Sequence, residues 1–193
     1  MLANGRVADG SGAPWFRADL GIRGDRITAV GDLSRSTTVR RIDVRNRMVA
    51  PGFIDLLGQS QLYVLIDNRV ESKIRQGITT EITGEGTSVA PVSEAALSQM
   101  KSFLERFRLK IDWKDLNGYT RRFETTGSAI NLGTFVGAAQ VRIAVLGLDD
   151  VQPSAAQLPG FLGLIFSAQQ RAQHGVQPLA PGGGRSEAVV IWL

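Results

Sequence analysis

The sequence changes its pattern at Val49-Ala50-Pro51-Gly52-Phe53-Ile54-Asp55. A helical stretch at residues 68–75 follows this short apolar run, and strand formers then recur at Ile78-Thr79-Thr80-Glu81-Ile82. A strand, a helix and a second strand at this spacing predict a βαβ unit, which requires parallel strands. We therefore expect an α/β region from residue 51 onward, with a parallel sheet that is either open or closed into a barrel.

The α/β pattern continues to about residue 153. Leu97, Met100, Leu104 and Phe107 recur at helical spacing after a candidate N-cap at Ser93. A second helix is predicted around Trp113 to Phe123, and a third strand at residues 129–136. From residue 154 the periodicity is lost and the composition shifts to Gln, Pro and Gly, so we expect residues 154–193 to be a poorly ordered tail.

The residues before Val49 predict β structure. Apolar and polar residues alternate at residues 16–22 and again at 26–30, on either side of Gly24-Asp25. A glycine in the first of two linking positions favours a type II′ hairpin, because that position needs a positive φ. With a further alternating stretch at residues 39–44 and a short one at 48–49, the pattern predicts a small antiparallel set within residues 1–50.

Composition excludes several classes of function. The chain has 193 residues, is 43% hydrophobic and 21% charged, and is therefore globular in type. It has no cysteine and a single histidine, His174, which excludes disulfides, thiolate zinc sites and polyhistidine centres. No apolar run reaches the length of a bilayer span and no export signal is readable, so we predict no membrane partner and take the cytoplasm as the default compartment.

The net charge of +4 includes an arginine-rich segment at residues 35–47. Phosphate binding is one interpretation of such a segment. Aspartates are interspersed in it and no periodic aromatic residues accompany it, so we interpret it as a solvated edge and predict no nucleic-acid partner.

Two carboxylates are candidate site residues because each follows a predicted strand. Asp55 closes the first strand and Glu85 follows the next, so parallel strands would bring them to the same edge, where barrel enzymes keep their chemistry. Capping of a nearby loop is an equally weighted alternative for Asp55. Together the two could hold a hard cation weakly, but two ligands do not make a closed site.

Two further motifs carry weaker signals. The loop Gly84-Glu85-Gly86-Thr87-Ser88 could cradle a phosphate, but it lacks the lysine and the spacing of a P-loop, and we favour a backbone turn. His174 with Ser167 or Ser186 could be arranged as a catalytic triad, although sequence spacing says nothing about the geometry that a triad requires.

Several segments together resemble the amidohydrolase superfamily. These are Asn4-Gly5-Arg6-Val7, Gly24-Asp25-Arg26-Ile27 and the Pro51-Gly52-Phe53-Ile54-Asp55 segment. Within that superfamily, Gly12-Ala13-Pro14-Trp15-Phe16 and Gly77-Ile78-Thr79-Thr80-Glu81-Ile82 are similar to the N-acyl-D-amino-acid deacylase (D-aminoacylase) branch, and the likeness runs from about Asn4 to Val151.

The resemblance implies a fold and a chemistry. The fold would be a small β-sandwich portion in residues 1–50 followed by the first part of a TIM-like (β/α) barrel in residues 51–153. The chemistry would be hydrolysis of the C–N amide bond of a small N-acyl amino acid by a zinc-activated water. Zinc is accordingly expected in complete family members.

This chain departs from the family pattern at the metal positions. The His-x-His pair that follows Phe-Ile-Asp is replaced by Leu57 and Gln59, and the acidic residue two places later by Gln61. The loop that carries a cysteine ligand is Gly84-Glu85-Gly86-Thr87, and a further histidine position is Ala138. We therefore expect no metal cofactor in this chain.

The resemblance and the residue chemistry lead to different functions. The first indicates a hydrolase of N-acyl-D-amino acids; the second predicts a truncated and inactive member of that family, with the tail explained by a frameshift near residue 158. The alternatives are a non-catalytic half-barrel that binds a ligand or self-associates, and a different site that uses Asp55 and Glu85.

Overall fold

The computed structural model describes residues 1–160, residues 163–164 and the backbone of a strand at residues 189–191. The fold is mixed α/β. No helix in this described part is long and apolar enough to span a bilayer. The predictions for His174, Ser167 and Ser186, and most of those for the segment 154–193, lie outside the described residues.

The helices and strands are short and follow one another in this order: β1 (Leu2–Val7), β2 (Phe16–Arg23), β3 (Arg26–Gly31), β4 (Ile42–Asp43), β5 (Met48–Pro51), β6 (Phe53–Asp55), a 3₁₀ turn (Tyr63–Leu65), α1 (Glu71–Ile74), β7 (Ile78–Thr83), α2 (Glu94–Phe107), α3 (Leu116–Thr126), β8 (Asn131–Thr134), α4 (Ala138–Leu146) and β9 (Val189–Ile191).

The chain divides into two compact units. The first contains Met1–Phe53, Lys73–Thr79 and β9. Its sheet has the strand order β3-β2-β1-β5-β9, and β4 also pairs with β1. Apolar side chains from β1, β2 and β5 and the loop between β4 and β5 form its core: Leu2, Val7, Ala18, Leu20, Val44 and Val49. Burial of these side chains is the main favourable term for this unit.

The predicted hairpin is present in the first unit. β2 and β3 pair antiparallel, and Gly24 between them has a φ of 61°. Side chains with a Cβ rarely adopt such a φ, which is why glycine suits this position. The pattern of alternation therefore predicted both strands and their connection.

The prediction of a purely antiparallel set is wrong. β4 and β5 both run parallel to β1, so the sheet is mixed. The chain leaves the hairpin and crosses back to the free side of β1, where it pairs in the same direction as β1. β1 itself was absent from the predicted strands, because a register irregularity between Leu2 and Gly5 and a φ of 60° at Asn4 interrupt its alternation.

The second unit contains Ile54–Ser72 and, from the later part of the chain, the described residues 80–160 and 163–164. β7 and β8 pair parallel with Thr80 opposite Asn131 and Thr83 opposite Thr134. The crossover between them contains α2 and α3. Ser93 caps α2 as predicted, since its side-chain oxygen accepts a hydrogen bond from Ala96 N at 3.2 Å.

Two predicted elements differ in extent from the elements of the structure. The helix predicted at residues 68–75 is reduced to α1, because Val70 has a φ of 46°, which no right-handed helix accommodates. The strand predicted at residues 129–136 is present as the shorter β8. α4 was not predicted; it begins after Gly137, which provides no side-chain cap.

Candidate functional site

A small cavity lies in the second unit, beside the segments that follow β6 and β7. Its volume is about 60 Å³. The lining residues come from the segment after β6 and from the loop after β7: Leu57, Gly58, Gln59, Gln61, Gly84, Glu85 and Thr87. Two loops that are distant in sequence are thus brought together at one place.

Of the site residues predicted from the sequence, some line the cavity and one does not. Leu57, Gln59 and Glu85 all line the cavity, and all three are exposed. Asp55, at the end of β6, is not among the lining residues; its Oδ1 accepts a hydrogen bond from Leu57 N at 3.2 Å. The carboxylate of Asp55 thus holds the backbone that precedes the cavity.

The segment 58–61 is fixed to β7 by two hydrogen bonds. Gly58 N donates to Ile82 O, and Ser60 N donates to Oε1 of Glu81, each at 2.9 Å. Glu81 is fully buried, and a Cβ at position 58 would overlap its carboxyl group. A residue larger than glycine at position 58 is therefore incompatible with this position of the Glu81 side chain.

Tyr119 on α3 makes a third attachment to the same segment. Its hydroxyl donates to Gln61 O at 2.7 Å, and the residue is only 2% exposed. Burial raises the pKa of the Tyr119 hydroxyl well above its ordinary value, and the negative charge of Glu81 raises it further. Tyr119 therefore remains a neutral hydrogen-bond donor over the physiological pH range.

The loop after β7 is held by the start of α4. Ala139 N donates to Gly86 O at 3.0 Å, and Gly137 N donates to Oγ of Ser88 at 3.1 Å. Ala138, between these two donors, is exposed. The start of α4 is thus attached to the same loop that lines the cavity.

The donor set of this cavity does not fit zinc. Zinc in proteins is bound by imidazole, thiolate or carboxylate groups in a fixed geometry. Leu57 is aliphatic, Gln59 and Gln61 carry neutral amides, and Glu85 is the single ionisable side chain in the lining. No group of three or more His, Cys, Asp or Glu residues that could hold a metal occurs within the described residues.

The side-chain oxygen of Gln61 is unusual among the polar atoms of this lining. Its Oε1 is buried, and it has no hydrogen-bond partner among the residues that the structure describes. Buried polar atoms of native proteins are nearly always paired, so this acceptor is an exception among the lining residues.

Comparison with known proteins identifies the lineage. The chain is 39% identical over 161 residues to D-aminoacylase from Alcaligenes xylosoxydans xylosoxydans, a match that covers 80% of this chain and 32% of the relative. It is a homologue of the D-aminoacylases. The D-aminoacylase-like chain spans about a third of the length of the curated relatives it matches. No family model matches it.

Solved structures agree with this assignment. N-acyl-D-glutamate deacylase from Bordetella bronchiseptica, in complex with zinc and a phosphonate inhibitor, superimposes with a TM-score of 0.74 at 31% identity, covering 88% of this chain and 35% of that one. A D-aminoacylase studied for its binuclear metal centre gives a TM-score of 0.76 at 36% identity, covering 88% and 36%. These two relatives of the D-aminoacylase-like chain are therefore metal proteins.

Sequence reasoning did not find three residues that shape this site, namely Gly58, Glu81 and Tyr119. One available signal was the alternation in β7, which places Glu81 and Thr83 on one face, both buried. A glutamate on a buried strand face is uncommon and needs a specific partner. One such partner of the Glu81 carboxyl group is Ser60 N, in the segment after β6, which local patterns do not connect to β7.

Proposed function

We propose that this D-aminoacylase-like chain does not hydrolyse N-acyl-D-amino acids through zinc at the β6–β7 cavity. The observation that carries this proposal is the lining itself, in which an aliphatic residue and two amides stand at the positions where the family pattern has His, His and an acidic residue. Amide and aliphatic side chains cannot replace imidazoles as zinc ligands, so the chain has no means there of lowering the pKa of a bound water.

The first prediction concerns zinc content and hydrolysis. The purified full chain, incubated with zinc and then dialysed, is expected to retain fewer than about 0.1 zinc ions per chain, because one carboxylate does not hold the ion. It is also expected to release no D-glutamate from N-acetyl-D-glutamate. Metal analysis by mass spectrometry and an amino-acid assay provide the two measurements.

A paired substitution makes this test specific. The double variant Leu57→His and Gln59→His supplies two imidazoles beside Glu85, and we expect it to bind zinc at least about tenfold more tightly than the parent chain. Leu148→His with Asp150→His introduces the same spacing at two exposed positions elsewhere and is the matched control. Zinc retention and hydrolysis by the unmodified chain would refute the proposal.

We also propose a finer description of the fold than mixed α/β. In this proposal β6, β7 and β8 are the first strands of a TIM-like (β/α) barrel, residues 51–153, and residues 1–50 are part of a small β-sandwich. The parallel pairing of β7 with β8 across a helical crossover supports the barrel assignment. The small-molecule ligand in this proposal is an N-acyl amino acid.

A second candidate function is self-association as a non-catalytic module. Four large apolar side chains near the ends of the described sheet are strongly exposed: Ile54 (59%), Leu56 (72%), Leu57 (62%) and Phe135 (58%). Exposed apolar residues in such a group favour a protein–protein contact. A second copy of the chain is the partner that we propose.

The second prediction tests this association. The purified chain is expected to elute as a discrete dimer in size-exclusion chromatography with light scattering, and Leu56→Lys is expected to weaken the dimer about tenfold or more by placing a charge in the contact. Val39→Lys, at a fully exposed residue of the first unit, is the matched control. A monomer at every concentration would exclude this function.

A further inference from the structure

The connection between β3 and β4, residues 32–41, is an exposed segment of the first unit. Residues 34–41 are all exposed, and Val39 is fully so, at 109%. None of these residues belongs to a helix or a strand. The sequence Ser34-Arg35-Ser36-Thr37-Thr38 gives the segment small polar side chains beside an arginine. Exposed loops of this composition are preferred places for cleavage by endopeptidases.

The peptide bond that follows Arg35 is weakly restrained. It lies in a turn in which Ser36 N donates to Leu33 O at 2.9 Å. Leu33 is anchored to the sheet, because its N–H donates to Oδ2 of the buried Asp19 at 3.3 Å. An endopeptidase needs the backbone around the scissile bond to open locally. Opening at Arg35 disrupts this turn and no strand pairing.

The other two arginines of the segment are held more firmly. Arg40 O accepts a hydrogen bond from Thr38 Oγ1 at 3.0 Å. Arg41 directly precedes β4, where Ile42 N donates to Met1 O at 2.9 Å. Opening of the backbone there would break the pairing of β4 with β1. The structure therefore favours cleavage after Arg35.

We propose that the Arg35–Ser36 bond is a cleavage site for arginine-specific serine endopeptidases, and that the first unit keeps the fragment of residues 1–35 bound afterwards. The reaction is hydrolysis: the C–N bond breaks, the hydroxyl of a water molecule goes to the Arg35 carbonyl carbon, and its proton goes to the Ser36 nitrogen. The exposed Arg35 side chain carries the positive charge that the acidic specificity pocket of such an enzyme binds.

The hydrophobic core is the first reason why the fragment would remain bound. Both sides of the cleavage site contribute to one buried cluster, with Leu2, Val7, Ala18 and Leu20 on one side and Val44 and Val49 on the other. Separation of the two parts would expose these side chains to water, so the hydrophobic effect opposes it.

The sheet is the second reason. β1 belongs to the fragment and lies between β2 and β5 in the strand order, so the fragment supplies an inner strand. Backbone hydrogen bonds of 2.9 Å join the two parts: Val44 N donates to Ala3 O, Arg6 N donates to Arg47 O, and Ala8 N donates to Val49 O. A cut in the connection leaves each of these bonds in place.

Limited digestion of the full chain with trypsin, followed by intact-mass analysis, tests both parts of the proposal. We expect the fragment 1–35 to be the product of the first cut within residues 1–160. We also expect it to co-elute with the remainder of the chain in size-exclusion chromatography, and to separate from it only in denaturant.

Two substitutions in the same segment make the test specific. Arg35→Gln removes the cationic side chain and is expected to slow cleavage within residues 32–41 at least about tenfold, because the remaining arginines there are held more firmly. Arg41→Gln, at a second exposed arginine, is the matched control and should leave the rate of formation of the fragment 1–35 unchanged.

The possible results bear on the two parts of the proposal separately. A first cut elsewhere within residues 1–160, or undiminished cleavage of Arg35→Gln within residues 32–41, would overturn the cleavage site. Elution of the fragment apart from the remainder without denaturant would overturn its retention. Neither result affects the zinc argument, which concerns the second unit.

Discussion

Replacement of Gly58 by alanine is expected to destabilise the chain by about 3 kcal/mol. The new Cβ would overlap the Glu81 carboxyl group, which is fully buried. Displacement of that group would break its hydrogen bond with Ser60 N and leave a charge buried away from its donor. Denaturant unfolding followed by tryptophan fluorescence measures the change, since the buried Trp113 is a reporter in the same unit.

A double-mutant cycle assigns this penalty to the Gly58–Glu81 contact. Glu81→Ala removes the carboxyl group, so adding Gly58→Ala in that background should cost less than about 1 kcal/mol, a coupling of about 2 kcal/mol. Gly160→Ala is the matched control, because a Cβ at Gly160 meets no atom within 4 Å. A Gly58→Ala penalty of the same size in both backgrounds would show that the contact is not its cause.

The elements that the sequence predicted best are those specified by neighbouring residues. The β2–β3 hairpin follows from strict alternation around Gly24, and α2 follows from apolar spacing after the Ser93 cap. Strand direction in the first sheet depends instead on which edge of β1 the chain reaches after a long connection. Local patterns contain no information on that choice, which is why the parallel pairing of β4 and β5 with β1 was not predicted.

The candidate site, like the fold, was predicted from the sequence only in part. The principle that the ends of neighbouring strands meet at one edge indicated Glu85, which lines the cavity. Leu57 and Gln59, which also line it, were identified only through the resemblance to the family. The same principle placed Asp55 there, yet its Oδ1 accepts from Leu57 N instead of lining the cavity. The dependence of Gly58 on the buried Glu81 arises from side-chain packing between two segments, and periodicity does not describe packing of that kind.

Ionisation of the Tyr119 hydroxyl should lower the free energy of unfolding at alkaline pH. In the unfolded chain a tyrosine ionises at about pH 10. In the folded chain burial, and secondly the charge of Glu81, raise the pKa of Tyr119, so the folded state keeps its proton at higher pH. Unfolding then releases a proton above pH 10, and the contribution of Tyr119 is fully present below that pH and declines by about 1.4 kcal/mol per pH unit above it.

Tyr119→Phe isolates this contribution from that of other titrating groups. At pH 8 the variant is expected to be less stable by about 1 kcal/mol, because Gln61 O loses the hydroxyl that donates to it. Between pH 10 and 11 the parent chain should lose stability faster, so the difference between the two chains shrinks and then changes sign. Free energies of unfolding, determined from denaturant curves at closely spaced pH values, measure this difference.

Phe123→Leu provides the matched control for the alkaline experiment. Phe123 is buried on the same helix, with its ring centroid 6.4 Å from that of Tyr119, and its replacement changes packing without removing a titrating group. Its effect should therefore be the same at pH 8 and pH 11. If the difference between Tyr119→Phe and the parent chain were equally constant, the hydroxyl would have to ionise alike in both states, and Tyr119 could not be the neutral donor that holds Gln61 beside the cavity.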